Sequence, residues 1–230
     1  MDARLDARID QGTVAHTKLA AAWPPFALRV RTERLELWLP TDDDLLDLVD
    51  LARSGIHPPG EMPFGVPWST LESPGFERGF LAYHWGNRAS WAPGSWELGL
   101  AASLDGTLIG MQGMSASRFS ATRTVHTGSW LGRSFQGAGF GKEMRAAVLA
   151  LAFDGLGAQF AETEAFLDNA ASNAVSRALG YADSGFGSLA PEGVPRETRR
   201  FRLTHEGWRS RPRSPVEIEG LTGCQELFGA

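Results

Sequence analysis

The stretch from residue 122 to 156 constrains this chain more than any other. Thr124–Leu131 is dense in β-branched and aromatic residues and reads as a strand. Gln136-Gly137-Ala138-Gly139-Phe140-Gly141-Lys142 follows as a glycine-rich turn. Phe140, Met144, Ala147, Val148 and Leu151 then recur at helical spacing on one face. A strand, a glycine turn and a helix in immediate succession make a phosphate-binding device. Glycine lets backbone N–H groups approach a ligand closely and tolerates unusual dihedral angles. The unpaired N–H groups of the first helical turn and the positive end of the helix dipole then face an anion. The turn is not a Walker loop, because no Gly-Lys-Ser/Thr stands at the needed spacing. It is not a full dinucleotide fingerprint either, because Met144 stands where the third glycine would be. An ordinary glycine-rich βα turn is the plainer alternative.

Gln136-x-x-Gly139-x-Gly141 resembles the coenzyme A pyrophosphate loop of the GNAT acyltransferase superfamily. A second segment lies beyond the helix. Residues 160–167 read as another strand, and the run from Asp168 and Asn169 through Ser172, Leu179, Gly180 and Tyr181 resembles the Asn-x-x-Ser…Leu-Gly-Tyr segment of the RimL-type branch. Met62-Pro63-Phe64-Gly65-Val66-Pro67-Trp68, Gly128-Ser129-Trp130-Leu131-Gly132 and the tail with Cys224, Leu227, Phe228 and Gly229 are similar to a mycobacterial succinyltransferase of that superfamily. The resemblance spans residues 23–230.

Composition narrows the class. A chain of 230 residues with 43% hydrophobic and 21% charged residues is long enough to bury a sizeable core and is globular in type. The net charge of -5 lends no support to nucleic-acid binding and mildly favours cationic partners such as amines. The single cysteine, Cys224, excludes an intramolecular disulfide and a cysteine metal cluster. No apolar run reaches membrane-spanning length. Asp2, Arg4, Asp6 and Arg8 alternate in sign, unlike a signal peptide, so a cytoplasmic protein is expected.

In chain order, residues 1–22 are expected to be an extension, followed by one domain over 23–230. Apolar alternation over 26–39 predicts a half-buried strand or hairpin arm. Thr41 before Asp42, Asp43 and Asp44 predicts a helix start, which Gly55 ends; a metal site on the three aspartates is the sharper and less economical reading. Residues 56–70 form a loop rich in proline and glycine that is nonetheless apolar, so it must cover something. Pro74 opens a second helix bearing Phe76, Phe80, Leu81, Tyr83, His84 and Trp85. Asp105-Gly106 between two strand-like runs predicts a hairpin. A strand is expected over 199–203, its arginines reading as a solvated face, and a short one at Val216-Glu217-Ile218. The total is an α+β chain with a mixed sheet of about six or seven strands and about four helices.

The resemblance implies a GNAT-like splayed sheet, with the cofactor wedged between the Thr124 and Phe160 strands. It implies acyl transfer from acetyl-CoA or succinyl-CoA to a primary amine by direct attack, with no metal. Cofactor contacts would come from Trp130, Leu131 and Gly132 on the strand, from Gln136, Gly137, Ala138, Gly139, Phe140, Gly141 and Lys142 in the turn, and from Asn169, Asn173 and Arg177 beyond it. Ser172 and Asn169 are the expected catalytic pair, though Asn169 also suits a plain N-cap. His126 is the candidate base, since histidine is the side chain that ordinarily titrates nearest neutrality, with Glu162 and Glu164 as rivals. Tyr181 belongs to the packing motif. Met62, Phe64, Val66 and Trp68 would wall the acyl or acceptor end. The acceptor is a small molecule or a protein amine, and a homodimer is compatible with the family. A non-catalytic acyl-CoA sensor and a nucleotide-binding enzyme are the rival classes.

Overall fold

The computed structural model describes residues 18–230. Of the expected extension over 1–22, residues 1–17 lie outside the described residues. Residues 18–22 are helical, and Ala20 packs on the core.

The chain opens with a hairpin of β1 (Arg29–Arg31) and β2 (Leu35–Trp38), whose alternating Val30, Leu35 and Leu37 are buried. Helix α1 (Asp42–Arg53) starts on a capping box. The Thr41 hydroxyl accepts from the Asp44 backbone N–H, and the Asp44 carboxylate accepts from the Thr41 N–H. Asp42 accepts hydrogen bonds from Trp85 Nε1 (3.1 Å) and from Arg88 (2.6 Å) on α2 (Gly75–Ala89). Asp44 therefore serves capping and Asp42 helix pairing. No group of three or more metal-ligating side chains occurs among the described residues.

Strands β3 (Trp96–Leu104) and β4 (Thr107–Ala116) join through Asp105 (φ 49°) and Gly106 (φ 79°), the left-handed pair that a two-residue hairpin turn demands. Then follow β5 (Thr124–Leu131), α3 (Phe140–Ala150), β6 (Phe160–Phe166), α4 (Ala170–Ala178), β7 (Ala182–Leu189), β8 (Arg196–Thr204) and β9 (Glu217–Glu219). No described helix is long and apolar enough to cross a membrane.

All nine described strands form one sheet in the order β7-β8-β6-β5-β4-β3-β2-β1-β9. Every neighbouring pair is antiparallel except β5 with β6. The sheet is larger than the six or seven strands expected. The chief omission is β7: Gly185, Gly187 and Ser188 carry little strand propensity, and β8 supplies the pairing that holds them as an exposed edge. Short helical pieces at 18–22, Phe119–Thr122, His205–Arg209 and Gln225–Phe228 raise the described helices from the four expected to eight. Each is too brief to show a period in sequence.

Helix α3 covers one face of the sheet, where Met144, Ala147, Val148 and Leu151 meet Val125, Leu98 and Leu100 in the main core. Helices α1 and α2 cover the other, in a smaller core around Leu45, Leu48, Phe76, Phe80, Ala101 and Met111.

Candidate active site

The parallel contact between β5 and β6 is short. Thr124, Val125 and His126 pair with Phe160, Ala161 and Glu162, and pairing stops there. Beyond that point β5 stays with β4 up to Leu131, while β6 stays with β8 up to Phe166. The sheet splits, and residues 127–131 of β5 have no strand on their β6 side among the described residues.

A buried polar cluster occupies the apex of the split. Thr163 donates its hydroxyl hydrogen to the Thr127 carbonyl (2.9 Å), and the Thr127 and Tyr181 hydroxyls lie 3.3 Å apart. Arg145 of α3, only 3% exposed, reaches Thr163 Oγ1 on β6 (3.3 Å) and Ser129 Oγ on β5 (3.4 Å). One guanidinium thus spans both diverging strands. Its Nε has no partner among the described residues, and burial lowers its pKa. Burial also raises that of Tyr181, which keeps its proton and packs. Sequence reasoning missed Arg145, because it sits beside Met144 in a helix whose other inward residues are apolar.

The glycine turn lies at the open end of the split. Gln136 donates through Nε2 to the carbonyls of Leu131 (2.9 Å) and Ile56 (2.8 Å), tying the turn to the end of β5. Gly137 (φ 80°) and Gly139 (φ 85°) adopt left-handed conformations. Gly139 is the N-cap of α3 and no side chain among the described residues caps that end, which leaves the N–H groups of the first turn without a capping partner. Lys142 is exposed beside them. Arg34, distant in sequence and not anticipated, braces the turn: its Nε donates to Glu143 (2.7 Å), and its guanidinium lies 4.5 Å from the centre of the Phe140 ring. Burial alone would raise the Glu143 carboxyl, but hydrogen bonds from Thr32 and Arg34 bring it below its ordinary range.

On the α2 side of β5 a cavity of about 710 Å³ opens between the sheet, α2 and the 62–71 loop. Its floor is three strands wide and ordered in rows by the strand register. Gly99, Gly113 and Gly128 lie side by side; Glu97, Ser115 and His126 form the row on one side; Met111 and Trp130 stand on the other. Phe64, Trp68, Phe76 and Phe80 form the roof and wall, with Trp68 6.0 Å from Trp130 ring to ring. His126 therefore faces the cavity, with its Nδ1 3.7 Å from Glu162. His84 is buried at the far end, where desolvation, assisted by Arg88, holds its pKa down at about 4. Tyr83 donates its hydroxyl hydrogen to Glu97; burial and that carboxylate push the phenol up to about 12.

The expected loop wall divides. Phe64 and Trp68 pack into the smaller core and line the cavity; Met62 is buried, its carbonyl accepting from Arg196 (2.6 Å); Val66 is 68% exposed at the cavity rim. Arg196 also grips Asp168 with two 2.9 Å hydrogen bonds, linking the loop to the β6–α4 turn. In that turn Asn169 is the N-cap of α4, accepting from Ser172 N (3.0 Å). Asn173 is buried, and its Nδ2 donates to the carbonyls of Phe166 and Asn169 (2.9 Å each), which closes the turn. Ser172 is half-buried in the first turn of the helix, and Arg177 lies 5.6 Å from the Phe201 ring. Trp130, Leu131 and Gly132 follow on β5, the Gly132 N–H donating to the Ile109 carbonyl (2.9 Å). Of the arginines expected to form a solvated face, Arg200 and Arg202 are exposed and Arg199 is half-buried; on that face they pair with Glu164 (3.4 Å), Glu162 (3.4 Å) and Asp183 (3.0 Å) respectively.

Residues 34–182 match the acetyltransferase (GNAT) domain family. Among solved structures, the chain is similar to Mycobacterium smegmatis RimJ in complex with CoA-disulfide, at 20% identity and TM-score 0.63 over 82% of this chain and 88% of that one. It is similar to RimL, a ribosomal L7/L12 α-N-protein acetyltransferase in complex with coenzyme A, at 17% identity and TM-score 0.63 over 75% and 95%. It is also similar to the microcin C7 self-immunity acetyltransferase MccE in complex with acetyl-CoA and AMP, at 17% identity and TM-score 0.57 over 75% and 93%.

Proposed function

The chain belongs to the GNAT acetyltransferase family, and on that premise we propose that it is a coenzyme A-dependent N-acyltransferase acting on a primary amine by direct transfer. The observation that carries this reading is the split between β5 and β6 with an uncapped glycine turn at its open end. A bound acyl-CoA supplies a thioester whose acyl group an amine can take and whose sulfur leaves. The turn from Gln136 to Lys142 suits its pyrophosphate, with left-handed glycines, uncapped N–H groups and one exposed lysine. The segment of Trp130, Leu131 and Gly132, which pairs with β4 but has no described strand on its β6 side, suits the amide-bearing arm, as an added strand would. Asn169 and Asn173 hold the α4 turn where the sulfur would lie, and Arg177 stands on the same helix.

His126, at the cavity rim beside Glu162, takes the proton that the amine loses as it attacks. A backbone N–H of the 130–132 segment polarises the thioester carbonyl. Ser172, in the first turn of α4, gives a proton or a hydrogen bond to the departing sulfur, aided by the helix dipole. Residues 23–230 act as one domain, in a cytoplasmic enzyme able to form a homodimer.

The cavity favours acetyl-CoA over succinyl-CoA. A succinyl carboxylate needs charged or paired donors, and no arginine or lysine lines the cavity. Arg53, the nearest candidate in sequence, pairs with Glu77 (2.7 Å). Calorimetry with coenzyme A, followed by thiol release from acetyl-CoA and succinyl-CoA, tests the proposal. One site per chain and faster release from acetyl-CoA are expected. Absence of binding at millimolar coenzyme A removes the proposal, and binding without turnover on any amine leaves the acyl-CoA sensor.

A further inference from the structure

Taking that transferase reading as given, we infer that the acceptor is a primary amine carried on a flat, aromatic body, with a second cationic nitrogen about 10 Å away. The inference starts from the glycine row. Gly99, Gly113 and Gly128 are register partners on three adjacent strands, and all three face the cavity. None has a positive φ, so none is glycine for the sake of backbone conformation. A Cβ on Gly128 would meet nothing within 4 Å, and one on Gly99 would come no nearer than 3.4 Å to His84 and Met111. At Gly128 and Gly99 a side chain would fit the protein and remove open space, whereas at Gly113 a Cβ would also press on the Gly128 carbonyl at 3.3 Å. Three glycines in mid-sheet forgo packing and strand propensity, and the result is a flat floor of peptide groups one residue deep and three strands wide. Aromatic walls at Trp68, Phe80 and Trp130 stand over it. Such a slot holds a planar ring system by stacking and excludes a bulky, branched one.

The polar row fixes orientation. Glu97, Ser115 and His126 run alongside the glycines, one per strand. The His126 end adjoins the split, where acyl transfer would occur. Two strand spacings separate it from Glu97, about 10 Å. Glu97 has no cationic partner among the described residues and accepts a hydrogen bond from the Tyr83 hydroxyl. Of the two basic groups beside that end, His84 is held neutral by burial and Arg88 pairs with Asp42 (2.6 Å). A carboxylate left without a cation at the far end of an apolar slot calls for one from the ligand.

The test uses two probes, 4,4′-bis(aminomethyl)biphenyl and the monoamine 4-phenylbenzylamine, with calorimetry on the full-length protein without coenzyme A. The diamine should bind about tenfold tighter than the monoamine, and Glu97→Gln should reduce that preference to about threefold or less. Gly128→Ala should weaken both probes by about tenfold while the melting temperature stays near wild type, because the added methyl fills the slot and nothing else. Equal binding of the two probes, or a Gly128→Ala variant that binds both as well as wild type, overturns the inference. Thiol release from acetyl-CoA separates this from the underlying reading. Glu97-dependent diamine binding with no release on any amine keeps the slot and ends the transferase proposal. Release on a free peptide N-terminus with no diamine binding keeps the transferase and ends the slot.

Discussion

Two regions of this molecule are built from glycine for opposite reasons. In the 136–141 turn, Gly137 and Gly139 have φ of 80° and 85°, where other residues are strained. The need for glycine there is set by the turn's own dihedral angles, and in the proposed function the turn works by presenting backbone N–H groups to phosphate. On the cavity floor, Gly99, Gly113 and Gly128 have ordinary strand conformations and are separated by more than a dozen residues each. They work by what they leave empty. The first kind is local chemistry of the backbone; the second exists only once three strands have paired in register. In the proposed function one site is assembled from both, the turn at one end of the split and the floor beside it.

The largest expected effect comes from breaking the turn alone. Gly139→Glu should weaken coenzyme A binding by about a thousandfold or more, since it places a carboxylate and bulk where a backbone faces phosphate. Gly139→Ala carries the same left-handed strain, about 1–2 kcal/mol, without the charge, and should lose far less. Both should bind the biphenyl diamine as wild type does. If Gly139→Glu binds coenzyme A normally, the cradle lies elsewhere.

Next comes a pH effect confined to the cavity side. His84 has a pKa of about 4 in the folded protein, against about 6.5 when unfolded. The unfolded chain therefore binds the extra proton between these values, and stability falls as pH drops through that window. The loss should reach on the order of 3 kcal/mol by pH 4 and be absent above pH 7. Denaturant melts at pH 7.5 and 4.5 should show it, and His84→Gln should flatten the slope. An unchanged slope in that variant would assign the acid sensitivity to other groups.

Ser172→Ala sharpens the contrast from the turn side. Turnover should fall by about a hundredfold if its hydroxyl serves the leaving sulfur, with coenzyme A affinity little changed. Unaltered turnover would leave Ser172 a packing residue of α4. The smallest expected effect belongs to neither region. Thr41→Ala removes the α1 capping box and should cost about 1 kcal/mol, read as a melting shift of a few degrees with both affinities intact; altered affinity would tie α1 to the site.

What the sequence determined by itself was whatever depends on neighbours along the chain. Strand β5, the turn, α3 and the Asn169 cap of α4 were legible because propensity, glycine dihedrals and capping act over a handful of residues. The Asp105-Gly106 hairpin and the Thr41 cap were legible for the same reason. Tertiary structure decided the rest. β7 is a strand because β8 lies beside it, not because Gly185 and Gly187 favour extension. Arg34 braces the turn from 105 positions away from Gly139, and Arg145 becomes a bridge between Ser129 and Thr163 only when the sheet splits around it. The side that His126 faces follows from its pairing with Ser115, and the loop 62–68 gains a surface to cover only when α2 and β5 meet beneath it. Long-range pairing converts alternation along a strand into rows across a sheet, and those rows, which no single segment carries, are what shape the cavity.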